Sequence, residues 1–133
     1  MTRKRQFLGF AETLVAAIVL AAATGCGSSS PQPADPAAAR DALDRALTAW
    51  KDGKTSESLK ETDPPIVVSD HLWRNGSRLV KYQIEPGDRS QGADQVFRVV
   101  LWLEAQKAKS KEKQEKTEYR VGTNPILTVN RGF

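Results

Sequence analysis

The chain is poor in the residues that most active sites are built from. Its 133 residues hold one cysteine, one histidine and one methionine. A single cysteine excludes an internal disulfide framework. One histidine and one cysteine exclude the clustered soft ligands of a transition-metal site, so no metal is expected. No serine stands in a Gly-x-Ser-x-Gly turn, and no glycine-rich phosphate loop is present. No catalytic residue and no cofactor are therefore assigned. Long apolar runs are also missing: the longest is Leu14–Ala23, ten residues. Extending it back to Phe7 gives 17 residues interrupted by Glu12, at the lower limit of a membrane span and with a costly carboxylate inside it.

Ten apolar residues behind Arg3, Lys4 and Arg5 have the length and flanks of a secretory signal peptide. The run closes on Ala23-Thr24-Gly25-Cys26. This tetrad resembles the lipobox of bacterial lipoproteins. The resemblance implies cleavage before Cys26 and attachment of its thiol to diacylglycerol, with Ala23 standing where that family usually has leucine. Ordinary cleavage after Ala21-Ala22-Ala23 is the alternative, and it would release a soluble secreted protein. Acylation would use the lone thiol, and several acyl chains anchor a protein without a spanning helix. The expected location is the cell envelope, with the domain outside the cytoplasm.

The organisation follows: residues 1–25 as signal peptide, 26–35 as lipidated cysteine and linker, and 36–133 as one small domain. The signal peptide carries three basic residues and one acidic residue, so its removal lowers the net charge from +4 to +2. A nearly balanced chain gives no reason to expect nucleic acid. The expected partners are a membrane through the lipid anchor, and an envelope protein or anionic polymer.

Asp35-Pro36 is a helix start, an N-cap followed by proline at the first position. Ala39, Ala42, Leu43, Ala46, Leu47 and Trp50 then recur at three- and four-residue steps, which predicts an amphipathic helix ended by Gly53. Asp41 and Arg45 are spaced for a helical ion pair. Thr55 or Ser56 starts a second, short helix that Asp63-Pro64-Pro65 must end. Beyond it the period becomes two. Strands are expected at Ile66–Val68, at Leu79–Glu85 with Val80, Tyr82 and Ile84 on one face, at Gln95–Ala105, around Thr117–Val121, and at Ile126–Val129. His71–Gly76 reads as a connection and Pro86–Gly92 as a loop. Residues 106–118 lack an apolar stripe and read as the end of a long hairpin, with a solvated helix as the alternative.

The fold class is α+β: one long and one short N-terminal helix on a curved antiparallel sheet of four to five strands. The element order over 36–133 resembles the cystatin-like roll, including the nuclear-transport-factor-two-like group. That resemblance implies a helix across the concave face, with the group's cone-shaped pocket shallow or absent in so short a chain. Ala49-Trp50-Lys51, Asp63-Pro64-Pro65-Ile66, Trp73-Arg74-Asn75-Gly76 and Gly122-Thr123-Asn124-Pro125 are similar to landmarks of a family of short bacterial secreted proteins, which implies no activity.

Three groups of side chains are candidates for function. Asp70, His71 and Tyr82 are of the types that the nuclear-transport-factor-two-like enzymes use for proton transfer. Neighbours on a strand point to opposite faces, however, so a polar turn and a core tyrosine are the plainer reading. Trp73, placed in a turn, is the tryptophan left open to exposure and ligand contact, whereas Trp50 and Trp102 read as core. Lys107, Lys109, Lys111 and Lys113 alternate and form a possible anion contact; glutamates nearby dilute it, and lysines on a hairpin tip also block edge pairing.

Overall fold

The computed structural model describes residues 32–105 and 112–132. Cys26, Lys107, Lys109 and Lys111 lie outside the described residues. The domain is α+β, with a long helix and two short helical segments on a strongly curled mixed sheet.

Helix α1 spans Pro36–Lys51. Asp35 accepts from the Ala37 N–H at 3.2 Å and caps the first turn. At the other end Gly53 has φ +80°. Its N–H donates to Trp50 O, and the Lys54 N–H donates to Ala49 O. This is a Schellman closure, which needs a left-handed residue that glycine supplies without strain. The expected apolar stripe is buried from Ala39 to Trp50. The Asp41–Arg45 pair forms at 4.0 Å with both groups partly exposed, worth a few tenths of a kcal/mol. A 3-10 segment, Ser56–Glu61, follows and buries Leu59.

The strands are β1 Ile66–Ser69, β2 Leu79–Ile84, β3 Arg89–Gln91, β4 Asp94–Leu103, β5 Lys113–Gly122 and β6 Leu127–Arg131, with a short helix α2, His71–Arg74, between β1 and β2. The sheet order is β1-β6-β5-β4-β2, and β3 pairs with β4. Five strands spaced about 4.8 Å apart are wider than a helix about 10 Å across. Yet α1 touches β1 at one edge and β2 at the other, so the sheet curls around it. Phe97, Val99, Leu101, Tyr119, Val121 and Val129 meet the helix stripe in one core.

Five expectations are corrected. The sheet is mixed rather than antiparallel, because β1 runs parallel to β6. Among the described residues it has six strands, because the turn-rich segment expected as a loop contains β3, which folds back on the start of β4. Val80 is not on the core face. A bulge lies between Leu79 and Lys81, which pair with the consecutive Leu103 and Trp102; it turns Val80 outward at 39% exposure and buries Leu79 instead. His71–Arg74 is a helical turn rather than an open connection. Trp73 is buried, at 7% exposure, rather than exposed. Lys113–Glu118 belong to β5, consistent with a hairpin arm and not with a helix.

Candidate functional site

Asp70 is the residue around which the polar interior is arranged. It follows β1 directly and caps α2, and it is 3% exposed. One carboxylate oxygen accepts from the N–H groups of Leu72 and Trp73, at 2.9 and 3.3 Å. The other accepts from the Tyr119 hydroxyl at 2.5 Å and from Arg131 Nη1 at 3.5 Å. Arg131, also buried along its side chain, reaches Glu115 with its second terminal nitrogen.

The register explains this convergence. Tyr119 on β5 stands directly opposite Arg131 on β6. The parallel β1–β6 ladder ends at Ser69 opposite Asn130, so the next step along each strand sets Asp70 beside Arg131. Glu115 and Tyr119 lie four residues apart on one strand and share a face. Two negative charges therefore flank one guanidinium, and a neutral phenol closes the set. Burial, reinforced by the charge of Asp70, pushes the Tyr119 hydroxyl well above its ordinary value, so it stays a donor.

Beside this network is a cleft of about 620 Å³, lined among others by His71, Glu85, Val99, Glu115, Thr117 and Arg131. The volume is that of a small-molecule pocket. Acidic Glu85, Glu115 and Glu118 are matched by Arg98, Lys116 and Arg131 on its walls, so the cleft selects no sign of charge. Glu118 is engaged by Arg89 through two hydrogen bonds, at 3.1 and 3.3 Å. That pairing holds its carboxyl below the ordinary carboxylate value.

The proton-transfer trio does not assemble. Tyr82 donates to Asp44 at 2.5 Å and shares a 2.8 Å hydrogen bond with Thr48. It ties β2 to α1, and its pKa is raised by partial burial and by Asp44. His71 is exposed at the rim of the 620 Å³ cleft. The phenol that meets Asp70 is Tyr119 instead.

Trp73 stacks on Trp50 with ring centroids 5.4 Å apart and planes 9° from parallel. Both indole N–H groups are used, Trp50 to Ser77 O at 2.7 Å and Trp73 to Lys54 O at 2.9 Å. The pair clamps the end of α1 to the segment between α2 and β2. It lies in the wall of a second cleft of about 650 Å³. Lys113 is exposed and pairs with Glu115 at 3.7 Å. Among the described residues, no group of three His, Cys, Asp or Glu is arranged to hold a metal ion.

Sequence reading missed Tyr119, Arg131 and Glu115. One local signal was available: an aspartate immediately before His-Leu-Trp has the form of an N-cap, which would have turned Asp70 inward.

No family model, no curated protein and no solved structure matches the chain.

Proposed function

We propose that this is a lipid-anchored cell-envelope protein whose α+β domain is a non-catalytic binding or structural module. The observation that carries the second half is the saturation of Asp70. An ionised carboxylate offers about four acceptor sites, and four donors already occupy them. A general base must keep a lone pair for its substrate. Asp70 spends all of its capacity on joining β1, α2, β5 and β6.

The first half rests on the lipobox-like tetrad ending in Cys26 and on the lone thiol. Replacing Cys26 by alanine is the test. The protein is expected to accumulate unprocessed at that site and to lack the acyl mass carried by wild type. Wild-type protein recovered entirely outside the membrane fraction would favour the soluble secreted form.

One observation favours a second reading, a small-molecule proton-transfer enzyme. His71 and Glu115 line the same 620 Å³ cleft, and both residue types exchange protons. A His71→Ala variant separates the two. The binding or structural reading expects a strain carrying it to resemble wild type, and the enzyme reading expects it to resemble a deletion.

A further inference from the structure

The sheet face turned away from α1 is basic, and its pattern is set by register. On β4 the residues alternating with the core are Asp94, Val96, Arg98, Val100 and Trp102, of which the two valines are buried. Their partners on β5 are Gly122, Arg120, Glu118, Lys116 and Gln114. On β2, Lys81 pairs with Trp102 and Gln83 with Val100; on β3, Arg89 pairs with Val96. Cross-strand partners share a face. That face therefore carries Lys81, Arg89, Arg98, Lys116 and Arg120 against Asp94, Glu118 and Glu85, which stands opposite Arg98. Glu118 is already tied to Arg89, and Arg78 and Glu104, at the end of β2 and β4, neutralise each other.

Two features make the face more than a solvated exterior. It curves outward, because the sheet wraps α1, so the central strands β4 and β5 form its crest. The basic rows extend over six steps of β4, from Val96 to Trp102, about 20 Å. At one end Lys81 Nζ lies 4.5 Å from the ring centre of Trp102, which is half-buried on this outer face rather than in the core as the sequence suggests. Tryptophan, an apolar ring with a polar edge, is enriched at bilayer interfaces.

We infer that this outer sheet face docks on an anionic phospholipid surface, with Lys81, Lys116 and Arg120 meeting headgroup phosphates and Trp102 at the interface. The inference deepens the envelope reading by orienting the tethered domain with its sheet toward the bilayer and α1 away from it. Its physical basis is separate from the anchor. Each basic side chain near an anionic bilayer contributes roughly a fivefold gain in partitioning.

The test uses the chain from Gly27 onward, which has no acyl group. Every core residue described lies between Ala34 and Val129, so this form holds the whole folding unit. It is mixed with vesicles of phosphatidylglycerol and phosphatidylcholine, or of phosphatidylcholine alone, and sedimented. Binding is expected only to the anionic vesicles, with loss as salt rises from 0.1 to 1 M and the screening length shrinks from about 10 to about 3 Å. The triple variant K81Q/K116Q/R120Q is expected to bind about 100-fold more weakly. The control R40Q/K51Q/K60Q, which removes equal charge from the helical side, is expected to bind as wild type does. Absence of binding to anionic vesicles at low salt, equal losses in the two triple variants, or binding to DNA or heparin but not to vesicles would each overturn the inference. If the first triple variant fails to fold, the single variants K81Q, K116Q and R120Q decide: each is expected to bind about fivefold more weakly, and binding unchanged in all three would overturn the inference. Failure here leaves the anchor standing, because that is read from the N-terminus.

Discussion

The Tyr119 hydroxyl donates to Asp70 across 49 positions of sequence, at 2.5 Å and with both groups buried. The bond joins the middle of the sheet to the turn after its edge strand. Asp70→Ala would remove a helix cap, leave Tyr119 without its acceptor, and leave Arg131 facing Glu115 alone. A loss of about 3–5 kcal/mol is expected, the cost of breaking a buried pair from one side. Asp70→Asn keeps an acceptor for the α2 cap and is expected to lose less. Chemical denaturation of the two variants checks the order; equal midpoints would show that the cap contributes nothing and the contacts to Tyr119 and Arg131 carry the whole effect.

Alkaline pH probes the same bond. The raised pKa of Tyr119 means that above about pH 10 the unfolded chain releases this proton while the folded chain retains it. The unfolded state then binds fewer protons, so stability falls as pH rises. Tyr119→Phe is expected to cost about 1–3 kcal/mol at pH 7, and to show a shallower decline between pH 9 and 11. Tyr82, whose pKa is also raised, leaves part of the slope in place. Parallel declines for variant and wild type would contradict the assignment.

The tryptophan clamp makes a stability prediction. Trp73→Ala is expected to cost about 3–5 kcal/mol. Trp73→Phe retains a ring but loses the N–H donated to Lys54 O, and is expected to cost less. A double-mutant cycle with Trp50 is expected to give a coupling of about 0.5–1.5 kcal/mol. Zero coupling would mean that the stack is proximity without energy.

The bulge in β2 reverses an order that simple alternation implies. Leu79→Ala is expected to cost about 2–5 kcal/mol and Val80→Thr under about 0.5 kcal/mol. Denaturation midpoints ranking Val80 above Leu79 would restore the unbulged register.

These positions also show what the sequence made legible. Helix α1 was readable because its stripe, its cap and its glycine stop are all local: Ala39 to Trp50 lie on one face, between Asp35 and Gly53. Val80 was misread because a bulge changes face parity without changing composition. The strand Arg89–Gln91 was hidden inside a segment rich in turn residues, where only its pairing with β4 makes it a strand. The parallel β1–β6 pair joins segments about 60 positions apart, and nothing in either one states its direction. Asp70, Tyr119 and Arg131 come together only through that pairing. Trp73 looked exposed because it stands beside Asn75-Gly76, whereas the Asp70 cap turns it onto Trp50.

The measurement that tests the account most directly is the intact mass of the protein recovered from the envelope of cells that express the full chain. The account predicts a chain beginning at Cys26 whose mass exceeds that of its residues by diacylglycerol and further acyl groups. An unmodified chain beginning at Thr24 would contradict it.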